Sequence, residues 1–417
     1  MRKSQDCWPA DGPQDGDVAS YAGLFGRLAW HCAGTLRIVD DESFGGCEGG
    51  GIRFWPEREW RDNGNLDQAR AILAQVKDMP EYRKLSWGDL ITFAGTVGIK
   101  ASGGPANKFC FGRVDASDGS TSVELGVEGI EDCAEGQACK THALCEESFH
   151  WDEQDTTDDA RCKLEQSDGR LQASHSVGLI YVFPHGPQLK SDQPDYDGSL
   201  KHQRSPRLSA EEVRDTFNKR MGWTDQETVA LVGGGHTLGR AHGACAQLHG
   251  AGSCKGKYTT TAGYEGVWTR TPSQWNYDFF GGLFESECKL PRYRWHLGCI
   301  LLKMPAISLS TGVPSKSPEG NDQWETADRS SKYKDTFRLT ADLALVSDPE
   351  YKAWAQKYHD DHALFDEDFA NAWCDASSPL AAPSLWCACA TRHHPSLPFP
   401  DALNTGMSST TCSGYLL

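Results

Sequence analysis

The apolar and polar positions along the chain follow a mostly helical pattern. Behind Ser86, Trp87, Leu90, Ile91 and Ala94 fall at i, i+3, i+4 and i+7 and predict an amphipathic helix. Ser86-x-x-Asp89, Ser209-x-x-Glu212 and Thr224-x-x-Glu227 have the form of capping boxes, in which a hydroxyl accepts from an orphan amide of the first turn. Each predicts a helix start. Asp348-Pro349 reads as an N-cap followed by proline at the first helical position, with Tyr351, Trp354, Ala355 and Tyr358 as the apolar stripe behind it. Residues 361–375 (DHALFDEDFANAWCD) predict a further helix with Phe365, Phe369 and Trp373 on one side.

Polar stretches without periodicity separate these helices, at 116–170, 186–207, 243–265 and 286–334. Segments of that length read as functional loops or flexible excursions. No internal repeat is visible. The expected architecture is a mainly α body over 1–376, with Cys-rich insertions at 116–170 and 286–334, followed by a Pro/Ser/Cys-rich tail over 377–417.

Composition narrows the picture. At 417 residues the chain can build one large core or two domains. Hydrophobic residues make up 38%, and no apolar run approaches the roughly 20 residues of a membrane helix, so no membrane span is expected. A formal charge of −17 disfavours nucleic acid and anionic membranes as partners, because both reward cationic surfaces. The first residues, MRKSQDCWPADG, contain no apolar signal-peptide core, so the expectation is an intracellular location. Motifs begin almost at once, which also fits a truncated or processed start. Sixteen cysteines show no recurring CxxC pair, and the one close pair is Cys387-x-Cys389. Cys133, Cys139, Cys145 and Cys162 fall in one acidic, turn-rich stretch. Buried thiols and loop disulfides explain this usage better than a zinc or iron–sulfur site, whose ligand spacing is tighter.

Four stretches carry candidate chemistry. In RLAWHCAGTLR (27–37), helical spacing brings Arg27, Trp30 and His31 to one face, a cation, an indole and an imidazole where a core helix would carry leucines. In ALVGGGHTLGRAHG (230–243), a helix runs into three glycines and then His236. That histidine either faces a flat ligand at the helix end or merely follows a glycine cap. Asp342, in RLTADLALVSDP, lies on a solvated face or is buried with a partner. Trp268, in EGVWTRTP, by itself reads as a core aromatic.

Taken together, Arg-x-x-Trp-His, Asp62-Asn63, Gly-Gly-His-Thr, Val-Trp-Thr and the Asp-Leu helix resemble the class I haem peroxidases. Within that group the resemblance is strongest to the N-terminal, haem-bearing half of catalase-peroxidases. QDCWPADG, WRDNGNLDQARAIL, KLSWGDLITFAG, FCFGRVD, VGLIYVFPHGP, RDTFNKRMGWTDQETVALVGGGHTLGRAHGA, VWTRTPSQWNYDFF and TADLALVSDPEYKAWAQKY occur in the family's order. The resemblance implies a helical peroxidase fold with one haem b per chain between a distal and a proximal helix. His31 is then the distal base, Arg27 the group that stabilises developing negative charge, and Trp30 the indole over the distal haem face. Asn63 orients His31, and Asp62 is the acidic residue near the peroxide channel. His236 is the proximal iron ligand, Asp342 its proton acceptor, and Trp268 the indole beside them. The implied function is reduction of hydrogen peroxide with one-electron oxidation of an unidentified donor, in response to oxidative stress.

Two departures bear on the activity. The catalase function of catalase-peroxidases depends on a cross-link of the distal tryptophan to a loop tyrosine and a methionine. Here Val177 stands at the methionine position, and the loop 116–171 has no tyrosine. Weak or absent catalase activity is therefore expected. Ascorbate peroxidases carry an arginine shortly after the second histidine of this motif, whereas here His242 is followed by Gly243, Ala244 and Cys245. The alternatives are a bifunctional catalase-peroxidase and a catalytically silent peroxidase-fold binding protein, and a homodimer is left open.

Overall fold

Helix α1 (Ala22–Ala33) is shared by two apolar cores. On one side Leu28 and Cys32 meet Cys47, Ile52, Leu66, Leu73, Leu90 and Ile91. On the other, Ala22, Ala29 and Trp30 join the larger core. In this computed structural model the described residues are 20–39, 42–55, 57–59, 63, 66–123, 205–241, 264, 266–284, 313–316, 322–326 and 330–376.

The smaller core is completed by α2 (Asp67–Lys77) and α3 (Trp87–Ala101). Ser86 caps α3 as its spacing predicts, its hydroxyl accepting from the Asp89 amide at 3.0 Å. Helices α1 and α3 cross at small residues, with Gly95 facing Ala29 and Gly98 facing Ala22. Residues 37–39 and 42–44 form the hairpin β1–β2, and a disulfide joins Cys32 to Cys47 just beyond it. A short helix, α4 (Ser120–Val123), lies against the Glu57 turn.

The larger core gathers α5 (Pro206–Arg214), α6 (Asp225–Gly235), α7 (Asp278–Phe284), α8 (Thr340–Ser347), α9 (Pro349–Asp360) and α10 (His362–Ala376). Phe279, Phe280, Tyr351, Tyr358, Phe365 and Phe369 are its largest fully buried side chains. Thr224 and Glu227 form the complete capping box expected at the start of α6. Asp348 caps α9 with Pro349 at its first position. The expected start at Ser209 is not observed. Ser205 accepts from the Leu208 amide, Pro206 opens the helix, and Ser209 is buried within its first turns. Proline's fixed φ suits the first helical position, so Ser-Pro marks this boundary more strongly than Ser-x-x-Glu.

Helix α5 runs on into one π-helical segment, Asp215–Arg220. Arg220 donates to the carbonyls of Gly34 and Leu36, just past the end of α1. Those groups have no partner within the helix, and a cation suits their negative end of the helix dipole.

Two further antiparallel sheets occur among the described residues. One pairs β3 (Arg240–Ala241) with β4 (Gly266–Val267). The other orders β5 (Val313–Lys316), β6 (Asp322–Glu325) and β7 (Phe337–Arg338). Strands β5 and β6 fall in the stretch expected to lack structure, because runs of four residues are too short for alternation to show. The architecture is otherwise the mainly α body expected. Residues 124–204, 242–263, 285–312 and the tail after 376 lie outside the described residues.

Candidate active site

Helix α1 brings Arg27, Trp30 and His31 to one turn, and the chain beyond the disulfide brings Asn63 to His31. Nδ1 of His31 lies 2.9 Å from Oδ1 of Asn63. The Asn63 amide is itself oriented, because its Nδ2 donates to the carbonyl of Glu57 at 2.7 Å. Its oxygen therefore faces the ring, so Nδ1 of His31 is the donor and Nε2 carries the lone pair. Nε2 is buried with no hydrogen-bond partner among the described residues. Burial is the main cause that pushes His31 down to about 3, the Arg27 charge adds to it, and the Asn63 contact opposes it. The imidazole is neutral and able to accept a proton throughout the physiological range.

Trp30 is half-buried and stacks on Phe217 at 5.5 Å between ring centroids, with Trp223 at 5.7 Å. Phe217 reaches it from the π-helical segment. Such insertions re-aim side chains at functional sites.

Glu57 is a site neighbour that the sequence reading missed. Its carboxyl is buried, and one oxygen accepts from the Ser122 hydroxyl at 2.5 Å while the other has no partner among the described residues. Burial pushes it up to about 7, against the Ser122 hydrogen bond. Its position six residues before Asn63 was visible, but nothing in the sequence shows that its carbonyl holds the Asn63 amide.

A second cluster forms at the end of α6. The glycines there serve aromatic neighbours more than a flat ligand. A Cβ on Gly233 would collide with the Phe280 ring and one on Gly234 with the Phe369 ring, whereas Gly235 has nothing within 4 Å. His236 follows as the C-cap residue. Its ring stacks on Trp268 at 4.3 Å and 14°, with Phe279 edge-on at 5.7 Å. Nδ1 of His236 lies 2.8 Å from Oδ1 of Asp342, close but off the direction of a well-aligned hydrogen bond.

Asp342 is buried, not on a solvated face. Its Oδ2 accepts from Trp268 Nε1 at 2.8 Å and from the Leu339 amide at 2.7 Å. Burial would raise its pKa, but His236, the Leu339 amide and the Arg338 charge together hold it below the usual carboxylate value. Trp268 is a core aromatic, as its lone reading suggests, with its one polar atom tied to this carboxylate.

The structure therefore joins His31 to Asn63, with Arg27 on the same helix face, and separately joins His236, Trp268 and Asp342. Asp62 and Val177 lie outside the described residues. Among the described residues, no group of three or more His, Cys, Asp or Glu could hold a metal ion directly. What is present suits a haem iron, which takes one imidazole from the protein: His236 has Nδ1 beside the Asp342 carboxylate and Nε2 left to ligate. Among the described residues Nε2 of His31 has no partner, which leaves its lone pair available to exchange a proton with a bound molecule. No helix among the described residues is long and apolar enough to cross a membrane.

A family model described as "Peroxidase" matches residues 14–361. The chain is 35% identical over 407 residues to a catalase-peroxidase of Geobacillus thermodenitrificans (strain NG80-2), covering 89% of this chain and 45% of that protein. It is 36% identical over 393 residues to a catalase-peroxidase of Geobacillus stearothermophilus, with the same coverage of both. Catalase-peroxidase 2 of Legionella pneumophila (strain Paris) is 35% identical over 407 residues, covering 89% and 44%. The chain thus spans less than half the length of these relatives.

Proposed function

Because the chain belongs to the peroxidase family, we propose that it is a haem-dependent peroxidase that reduces hydrogen peroxide to water and oxidises a donor one electron at a time. The observation that carries this reading is His31, which is neutral, oriented by Asn63, and has a buried lone pair at Nε2 with no partner among the described residues.

In this mechanism Nε2 of His31 takes a proton from peroxide and returns it to the leaving oxygen, so one imidazole serves as base and then acid. Arg27 stabilises the negative charge that develops as the O–O bond breaks. Trp30 forms the wall of the distal side. His236 would hold the iron of one haem b per chain, with Asp342 beside its other ring nitrogen to make the ligand more anionic. A bound haem would supply the two electrons that bond cleavage needs, to be replaced one at a time by the donor.

Val177 and the tyrosine-free loop support peroxidase activity with little catalase activity, in a role in oxidative stress. The Cys32–Cys47 disulfide favours an oxidising compartment over the cytosol.

Stopped-flow mixing of the haem-loaded protein with peroxide tests the reading. His31→Ala should keep the Soret band and lower the peroxide rate constant on the order of 10²–10⁴-fold. His236→Ala should lose tight haem ligation. An unchanged peroxide rate in the His31 variant would sink the distal assignment.

A further inference from the structure

Arg338 is a buried cation that the mechanism above does not use. It ends β7, four residues before Asp342, and only 5% of its surface is exposed. Nη1 donates to the carbonyls of Trp268 at 2.8 Å and Phe337 at 2.6 Å, and Nη2 donates to the carbonyl of Phe279 at 3.1 Å. The guanidinium also lies over the Phe279 ring, 5.2 Å from its centroid. Among the described residues, Trp268 and Phe279 are the aromatic side chains in contact with the His236 ring. One side chain therefore holds the backbone of both.

The fold makes room for it. A Cβ on Gly282, in α7, would occupy the place of Nη2. No carboxylate among the described residues comes within ion-pair distance of it, and its neighbours are carbonyl dipoles. Burial pushes Arg338 down to about 10, with Asp342 the first influence opposing it, so it stays charged at neutral pH. Burying a charge whose direct contacts are carbonyl dipoles is costly. A purely structural clamp would not need the charge, because a neutral donor can also satisfy carbonyls.

The geometry points to Arg338 as a positioning residue of the proximal site: it clamps Trp268 and Phe279 about His236, and its fixed positive charge raises the electron affinity of an iron bound there. A buried cation on this side favours the reduced, less positive iron and opposes positive charge on the Trp268 indole. The charge effect rests on the haem reading, whereas the clamp does not.

The test uses the full chain in two states. In the haem-loaded protein the ferric–ferrous midpoint is followed by spectroelectrochemistry. Arg338→Met should shift it to more negative potential, and Arg338→Lys, which keeps the charge, should restore most of the shift. Arg338→Gln carries the same charge test if the methionine variant does not fold. In the haem-free protein, exchange of the Trp268 indole proton is read by NMR with labelled tryptophan, assigned through Trp268→Phe. Arg338→Met or Arg338→Gln should speed it at least tenfold, and so should Gly282→Ala, which displaces the guanidinium without removing its charge. A midpoint unmoved in a folded, haem-loaded neutral variant would overturn the electrostatic role. Unchanged indole exchange in all the variants would overturn the clamp. If the wild-type chain takes up no haem, the haem reading fails, and the exchange measurement still decides the clamp.

Discussion

Glu57 and His31 lie on either side of Asn63 and respond to pH in opposite senses. The Glu57 carboxyl is pushed up to about 7 by burial, so between pH 4.5 and 7 the folded protein holds a proton that the unfolded chain has released. Its contribution is therefore fully present below 4.5 and is lost as pH rises through 7. His31 is pushed down to about 3, so its contribution is present above 6.5 and is lost as pH falls towards 3. Glu57→Gln removes the first effect and leaves the second. Its stability relative to wild type should rise with a slope of up to about 1.4 kcal/mol per pH unit between 4.5 and 7, then level off. Urea unfolding of both proteins at pH 5 and pH 8 checks this; an equal difference at the two values would mean that Glu57 does not titrate in that window. Glutamine still accepts from Ser122, so the fold around Asn63 should persist.

At the scale of elements, the α1–α3 crossing sets where His31 stands. A Cβ on Gly95 would sit 2.5 Å from that of Ala29, 3.0 Å from the Trp373 ring and 3.2 Å from the Phe25 carbonyl. Gly95→Ala should cost about 1–3 kcal/mol by overpacking, and by pushing α1 it should also disturb the His31–Asn63 contact. Urea unfolding and the rate with peroxide read the two effects, and wild-type stability would show that the crossing can relax freely. Much of this level was legible in the sequence. The Thr224 box, the Asp348-Pro349 start and the Phe365–Phe369–Trp373 stripe are local signals, and local signals survive folding. Ser209 misled because a stronger local signal stood four residues earlier. The histidines, Asn63, Trp268 and Asp342 could be singled out, but through their resemblance to a family; alone, Asp342 read as solvated and Trp268 as ordinary core. Glu57, Arg338 and the Cys32–Cys47 bond escaped because each acts through a backbone carbonyl or a partner distant in sequence. No pattern of residue types encodes such contacts.

Two apolar cores among the described residues share α1, and the Cys32–Cys47 disulfide ties the smaller one covalently. It closes a loop with a sequence separation of 15. Replacing both Cys32 and Cys47 by alanine should lower the unfolding free energy by about 3 kcal/mol. Non-reducing urea unfolding measures it, and an unchanged midpoint would show that the tie restrains little in the unfolded chain. Cys32 is fully buried and Cys47 is 4% exposed. Thiol–disulfide exchange needs a thiolate to reach a sulfur, so exchange at this bond requires α1 to open locally first. Redox exchange at the residue next to His31 is thereby tied to the opening free energy of the helix that carries the imidazole.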